Sequence, residues 1–293
     1  MERWTVFGGW LLPIALVLPQ LLLTGFFFYW PAAEAMWSSM TIQDPFGQGF
    51  VYVGFDNFAA LLDDPLYRNS ALRTVVFCAA VSGLAMATAL ALAVFADREI
   101  RGKTGYRTLL IWPYAVAPAL SAVLFVFVLD PRVGLLGRWL NRHGVNWDYH
   151  LNGNQALLMV ILASAWKQVS YNFIFFLAGL QSIPRAVIEA ARMDGAKGWY
   201  RFRTITVPLL APTTFFLLVV NVVYAAFDTF GSINPLTHGG PGKDTETLVL
   251  KVFRDGVINQ DIGSSAAQSV ILMIGVIAIT AVQFRFMGRK VAE

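Results

Sequence analysis

The chain of 293 residues carries 57% hydrophobic but only 14% charged residues, with a net charge of +4 and a mean hydropathy of +0.58. Because soluble domains carry about 25% charged residues, this composition excludes a soluble enzyme, a disordered chain and a coiled coil. The single cysteine, Cys78, excludes an internal disulfide framework and a cysteine-based metal site. The composition therefore predicts an all-α integral membrane protein whose surface faces lipid.

Six stretches are apolar and long enough for a helix to cross about 30 Å of hydrocarbon. They predict helices near 9–30, 73–95, 108–129, 156–180, 208–230 and 264–284, within one membrane domain of residues 1–293. The first stretch is about twice as long as the core of a secretory signal, which favours a retained helix.

Lysine and arginine are unevenly distributed between the loops. The two termini and the loops 96–107 and 181–207 hold more of them than the other three loops, which are longer and richer in acids. Since basic residues concentrate on the cytoplasmic side, both termini are expected in the cytoplasm, in agreement with an even number of spans. The net charge therefore indicates orientation rather than a nucleic-acid interface.

The cytoplasmic loop 181–207 has the pattern of a helix–turn–helix outside the bilayer. Ser182 is expected to cap a helix with Pro184 in its first turn, and Gly195 can take the left-handed conformation that ends it. A second short helix should span Gly198–Thr206. A positive loop needs only scattered arginines, whereas small residues within a helix allow another backbone to pack closely, so the pattern favours docking of another protein.

This loop contains Glu189-Ala190-Ala191-x-x-Asp194-Gly195-Ala196, which resembles the EAA loop of permease subunits in binding-protein-dependent ABC importers. The resemblance extends over nearly the whole chain and is greatest to permeases of sn-glycerol-3-phosphate importers. The further segments that carry it are Asp44–Gly47, Gly54–Phe58, Trp112–Pro118, Trp166–Phe173, Tyr224–Phe230 and Gly239–Pro241.

The resemblance implies a type I importer subunit of a bacterial inner membrane that forms half of a translocation path. The loop would dock on a cytoplasmic ATPase, with contacts at Glu189, Ala190, Asp194 and Gly195. The implied partners are a second homologous permease, two cytoplasmic ATPase subunits, a periplasmic substrate-binding protein and membrane lipid, but no nucleic acid. The implied cargo is sn-glycerol-3-phosphate, with glycerophosphodiesters as a second candidate, and the alternative is a neutral sugar or oligosaccharide.

No ATP-binding motif is found in the sequence. Gly102-Lys103-Thr104 ends like a phosphate-binding loop, but that loop requires glycine at the position of Asp97. The segment Gly239–Gly242 lacks dinucleotide-loop spacing and predicts a turn. We expect no catalytic site, metal or cofactor in this chain, with ATP and magnesium bound by the partner ATPases. The sequence has no nucleophile motif and no metal-ligand spacing, which argues against an intramembrane enzyme. An ungated channel is a further alternative, but it would not need a loop that docks an ATPase.

Two polar stripes on the fourth and fifth spans are candidates for the lining of a translocation path. Their members are Lys167, Ser170, Tyr171 and Asn172 on the fourth span and Asn221, Tyr224 and Asp228 on the fifth. A charge within a span costs at least ~2.5 kcal/mol, so Lys167 is expected to face the bundle interior or an aqueous path. Lys167 would attract a phosphate, and the tyrosines, Asn172 and Asp228 would bind hydroxyl groups. The alternatives are a structural ion pair between Lys167 and Asp228, or a Lys167 side chain that reaches the interface.

Overall fold

The structure, a computed structural model, describes residues 10–43, 49–97 and 103–291. For residue 103 and residues 286–291 it describes the backbone only. The segment Asp44–Gly47, residue 9 and Gly102 lie outside these ranges. The all-α prediction is confirmed, because helices make up the described chain apart from two three-residue strands and the connecting loops. The chain divides into two units, residues 1–64 with 252–271 and residues 65–251 with 272–293.

The elements are, in chain order, α1 (Leu11–Thr24), a π-helical turn (Gly25–Tyr29), α2 (Trp30–Ser38), β1 (Thr41–Gln43), β2 (Phe50–Tyr52), α3 (Asp56–Asp63), α4 (Pro65–Asp97), α5 (Lys103–Ala115), α6 (Pro118–Leu129), α7 (Leu135–Arg142), α8 (Gly153–Ser182), α9 (Arg185–Met193), α10 (Gly198–Arg201), a π-helical segment (Phe202–Thr206), α11 (Val207–Leu209), α12 (Ala211–Phe227), α13 (Phe230–Thr237), α14 (Leu248–Phe253), a π-helical segment (Arg254–Ile258) and α15 (Ile262–Val291).

The smaller unit contains the long apolar helix Leu11–Ser38, in which α1, the π turn and α2 are continuous. Strands β1 and β2 pair antiparallel, with Thr41 opposite Tyr52. The amide of Asn57 on α3 donates to the carbonyl oxygens of Ser39 at 2.9 Å and Thr41 at 3.0 Å. These two bonds hold α3 against the segment that follows α2.

Helices α4 and α8 form the centre of the larger unit. Every fourth residue on one face of α4 is fully buried, namely Phe77, Val81, Ala85, Ala89 and Ala93. Lipid is as apolar as these side chains, so close packing rather than the hydrophobic effect must hold the helices together, and alanine permits a close approach. The buried residues that complete this core include Met159, Val160, Phe173 and Phe176 on α8 and Leu217 on α12.

Four helical stretches in the described part of the chain are long and apolar enough to cross a membrane: Leu11–Ser38, Pro65–Asp97, Gly153–Ser182 and Ile262–Arg285. Two further pairs meet the same criterion together, each bent at a break: Thr104–Ala115 with Pro118–Leu129 at 105°, and Gly198–Leu209 with Ala211–Phe227 at 67°. If each bent pair is one span, the number of spans is six, which agrees with the hydropathy pattern.

The third and fifth spans are not the continuous helices that the hydropathy pattern predicted. The third is broken between α5 and α6, where Ala117 has an extended ψ of 142°. Pro118 explains this break, because proline clashes with an α-helical conformation of the preceding residue. The fifth is broken at Leu210 and ends at Phe227, before α13 starts at Phe230.

The segment 238–247 folds back onto α4 in the larger unit. Arg73 of α4 forms an ion pair with Asp244 at 2.5 Å, and the backbone N–H of Leu248 donates to the hydroxyl of Thr74 at 2.8 Å. The chain turns at the predicted segment Gly239–Gly242, since the N–H of Thr245 donates to the carbonyl of Gly239 at 3.2 Å and that of Asp244 donates to the carbonyl of Pro241 at 3.0 Å. This connection is therefore a folded structure, fixed to the N-terminal part of α4.

Candidate functional site

The helix–turn–helix between the fourth and fifth spans is present, and its turn has defined geometry. Helix α9 ends at Met193, and Gly195 follows with a φ of +75°. The N–H of Ala196 donates to the carbonyl of Ala191 at 2.9 Å, and that of Gly195 donates to the carbonyl of Arg192 at 3.1 Å. These two bonds form a Schellman motif, which requires a left-handed residue at the position of Gly195. The prediction that Gly195 ends this helix is confirmed.

The start of this segment differs from the prediction. Ser182 does not cap α9 but is the last residue of α8, where its hydroxyl donates to the carbonyl of Gly179 at 2.8 Å. Pro184 occupies the cap position of α9 without a side-chain hydrogen bond. The proline forces Ile183 out of the helical region, so α9 begins at Arg185, two residues later than a cap at Ser182 would give. The second helix extends over Gly198–Thr206 as predicted, with its last five residues in a π-helical form.

The surface of this segment carries both the predicted motif residues and a group of large apolar side chains. Glu189, Ala190, Asp194 and Gly195 are all exposed. Met193 is 89% exposed, Trp199 74% and Tyr200 64%. Large exposed apolar side chains close together in the sequence are typical of an interaction surface. The sequence motif did not point to these three residues, although an aromatic pair directly after the glycine turn was a visible signal.

An open surface depression of about 580 Å³ lies at the turn of this segment. Its lining combines the motif residues with side chains of the second helix, namely Ala191, Asp194, Gly195, Ala196, Lys197, Tyr200 and Ile205. A Cβ atom placed on Gly195 would meet no atom within 4 Å. The space at Gly195 is therefore open, and only its backbone conformation restricts the residue that can stand there.

The polar stripes of the fourth and fifth spans meet at one buried pair. Asn172 of α8 and Asn221 of α12 donate to each other's side-chain oxygens, at 3.0 and 2.7 Å. Both residues are fully buried, and Asn221 also donates to the carbonyl of Leu217 at 2.6 Å. The two side-chain amides thus hydrogen-bond to each other and link α8 to α12.

The charged members of the stripes are not joined. Lys167 is half-buried on α8, Asp228 is exposed at the end of α12, and no ion pair between them is found in residues 103–285. The alternative of a structural Lys167–Asp228 ion pair is therefore wrong for this conformation. Tyr224 donates to the carbonyl of Ser164 at 3.4 Å, one helical turn from Lys167. Ser170 is buried at 1% exposure and does not face open space.

An aromatic row extends the fourth-span stripe. The rings of Tyr114 and Tyr171 lie 5.9 Å apart, those of Tyr171 and Phe175 lie 4.8 Å apart, and Phe216 continues the row at 5.2 Å from Phe175. Tyr114 lies in the last turn of α5, next to the break before α6, and is 53% exposed. Tyr114 could not be identified as a member of this row from sequence spacing, because the ring that it contacts is on another helix.

Among the described residues, four apolar helices of spanning length and two bent helix pairs are the architecture of a multi-span membrane protein. Residues 58–292 match the family described as binding-protein-dependent transport system inner membrane component. The chain belongs to this family. It is therefore an inner-membrane component of a transport system that depends on a binding protein.

The chain is 57% identical over 291 residues to the sn-glycerol-3-phosphate transport system permease protein UgpA of Rhizobium meliloti, with 99% of each chain covered. It is 51% identical to the protein of the same name from Yersinia enterocolitica, over 96% of this chain and 95% of that one. Among solved structures, a bacterial alginate ABC transporter in complex with alginate pentasaccharide-bound periplasmic protein matches with a TM-score of 0.80. That match covers 96% of this chain and 95% of the other at 23% identity, and it shows that the fold is that of an ABC transporter permease.

Proposed function

We propose that this chain is the permease subunit of an ATP-driven ABC importer and forms half of the translocation path for sn-glycerol-3-phosphate. The observation that carries the proposal is the 51–57% identity, over nearly the full length, to permease proteins named for transport of this compound. Glycerophosphodiesters are a second candidate cargo, because they share the phosphate and glycerol groups. A neutral sugar or oligosaccharide has less support, since the similar alginate transporters are only 23% identical and alginate is an acidic polysaccharide.

The loop 181–207, of which residues 183–207 follow the end of α8, is proposed to couple transport to ATP hydrolysis. Glu189, Ala190, Asp194 and Gly195 would contact the ATPase, with the exposed side chains of Met193, Trp199 and Tyr200 in the same interface. The support is their exposure on a folded segment that the Schellman motif holds in one conformation. Closure of an ATPase pair would move this segment as a rigid body and tilt α8 and α12, between which it lies in the chain.

Contact with the cargo is proposed for the less buried members of the polar stripes. Lys167 supplies a positive charge for the phosphate, and Tyr171 and Tyr224 supply hydroxyl groups. Asp228 can accept hydrogen bonds from the glycerol hydroxyls. The buried members of the stripes would instead stabilise the helices that form the wall of the path; these are Asn172, Asn221 and Ser170. Support for Lys167 comes from its half-buried position without a carboxylate partner in residues 103–285.

The complete importer would contain a second homologous permease, two cytoplasmic ATPase subunits and the periplasmic binding protein. ATP and magnesium would be bound by the ATPase subunits, and no cofactor is assigned to this chain. Both termini and the segment 183–207 would lie in the cytoplasm, in accord with the distribution of lysine and arginine.

Uptake of labelled sn-glycerol-3-phosphate tests the proposed cargo. Cells that lack other carriers for this compound should take it up only when they hold the complete importer with this chain. Unlabelled glycerophosphodiester should compete if it shares the path, whereas maltose should not. Absence of chain-dependent uptake in an assembled complex would refute sn-glycerol-3-phosphate as the cargo and favour the sugar alternative.

Substitution of Gly195 tests the coupling role. Gly195→Asn should retain most uptake, because asparagine tolerates the left-handed conformation. Gly195→Trp should remain in the membrane but abolish uptake, because the indole would fill the open space at the turn. Near-normal uptake by the tryptophan variant at equal abundance would remove the coupling assignment without affecting the cargo assignment.

A further inference from the structure

The short helix α7 presents an unusual free face. At 3.6 residues per turn, Gly137 and Leu140 lie on one side of this helix, and Leu135, Trp139 and Arg142 lie on the other. Leu135 is 79% exposed and Trp139 53%. Leu136 and Arg138 flank this face on its two sides and are also exposed. The free face is thus divided lengthwise into an apolar half and a half that carries two arginines.

Helix α7 is fixed to the end of α6. A Cβ atom at Gly137 would collide with the carbonyl oxygens of Leu129 and Asp130, so α7 packs directly on the last turn of α6. The Asn141 amide donates to the carbonyl of Trp147 at 3.0 Å, and its oxygen accepts from the N–H of the same residue. The Trp147 indole N–H donates to the carbonyl of Leu129 at 2.7 Å. The position of α7 is therefore set by α6.

The depth of α7 follows from α8. The Asp148 N–H donates to Gln155 in the first turn of α8 at 2.6 Å, so the loop that carries Trp147 lies at the N-terminal end of α8. Helix α8 has 30 residues. At ~1.5 Å per residue it is about 45 Å long, which exceeds the ~30 Å of hydrocarbon and places its ends among the lipid headgroups. Helix α7 therefore lies at headgroup level, on the opposite side of the membrane from α9.

We infer that α7 is an interfacial helix that binds anionic phospholipid headgroups through Arg138 and Arg142 and inserts Leu135, Leu136 and Trp139 among the upper parts of the acyl chains. Arginine and tryptophan on adjoining halves of one short helix are the composition of helices that lie in a membrane interface. Arg138 Nε donates to the carbonyl of Gly134 at 3.4 Å, but neither arginine forms an ion pair with a carboxylate in residues 103–285, so both keep donors for lipid phosphates. This inference does not depend on the identity of the cargo.

Fluorescence quenching by labelled lipids tests the inference on the assembled importer in lipid nanodiscs. In a Cys78→Ala background, Leu135→Cys carries an environment-sensitive fluorophore, and the same complex without an added cysteine is the blank. Lys243→Cys is the matched control, because Lys243 is exposed in the segment 238–247. The nanodiscs contain equal amounts of phosphatidylglycerol and phosphatidylcholine, with a doxyl quencher on the acyl chain of only one of them at a time.

The fluorophore at 135 should be quenched more strongly than the one at 243, because both positions lie near the N-terminal end of α8 but only α7 presents the apolar half of a free face. Quenching at 135 should be stronger with labelled phosphatidylglycerol, with an enrichment of up to about fivefold per arginine near an anionic surface. The double substitution Arg138→Gln and Arg142→Gln should remove this headgroup preference but leave quenching in place.

An unquenched fluorophore at 135, or equal quenching by both lipids before the arginines are changed, would overturn the inference. A signal at 135 that changes only when the binding protein is added would assign this face to protein docking instead.

Discussion

The pair Asn172–Asn221 offers a test of how α8 and α12 are held together. Replacement of Asn172 by leucine removes two reciprocal hydrogen bonds, of 3.0 and 2.7 Å, in a fully buried site. Asn221 keeps its bond to the carbonyl of Leu217, but its side-chain oxygen loses its donor. An unsatisfied buried polar group costs about 1–3 kcal/mol. Hydrogen bonds between helices in membranes contribute on average ~0.6 and at most ~1.7 kcal/mol. We therefore expect Asn172→Leu to destabilise the protein by about 1–2 kcal/mol.

The double variant gives the sharper result. Asn172→Leu combined with Asn221→Leu removes both polar groups, so no buried amide is left without a partner, and the loss should be smaller than the sum of the two single losses. A double-mutant cycle on the free energy of unfolding of the purified complex in detergent should give a coupling of at least ~0.5 kcal/mol, the lower end for residues in contact. Additive losses, or single-variant losses below ~0.3 kcal/mol, would refute the reasoning.

Three further predictions concern charged groups. Lys167→Ala should reduce uptake of sn-glycerol-3-phosphate with little change in assembly, and Lys167→Arg should retain more uptake. Unchanged uptake kinetics in the alanine variant would exclude Lys167 from the path. Arg73→Gln should release the segment 238–247 and raise its protease sensitivity, because it removes the ion pair with Asp244. The exchange Arg73→Asp with Asp244→Arg should restore part of the protection. Equal sensitivity of the unchanged protein, the single variant and the exchange variant would mean that the ion pair does not hold this segment. The backbone N–H of Val133 donates to the Asp130 carboxylate at 2.9 Å and, with other groups nearby, lowers the pKa of this carboxyl. This stabilisation is present above the ordinary aspartate pKa of ~3.9 and is lost as the pH falls through the lowered value. Protease sensitivity of the segment 130–134 should therefore rise only in strong acid. Asp130→Asn, which still accepts the hydrogen bonds, should lose this pH dependence. An identical acid profile in the variant would mean that the Asp130 carboxyl is not the titrating group.

The amino-acid sequence by itself determined the membrane location, the approximate places of the spans and the helix–turn–helix with Gly195 at its turn. These features follow from local properties: apolar composition over about 20 residues decides whether a helix can lie in lipid, and a left-handed turn position favours glycine. The break before Pro118 was also a local signal, but continuous hydropathy across it masked the effect.

The tertiary structure alone decided which polar residues meet. Asn172 finds Asn221 on another helix, 49 positions away, while Lys167 and Asp228 on the same two helices remain apart. Periodicity assigns a side chain to a face of its own helix, but the rotation and offset of two packed helices depend on the volumes of all the side chains between them. For the same reason, the contact of Tyr114 with Tyr171, and the packing of Gly137 on α6 that fixes α7, became apparent only in the folded protein.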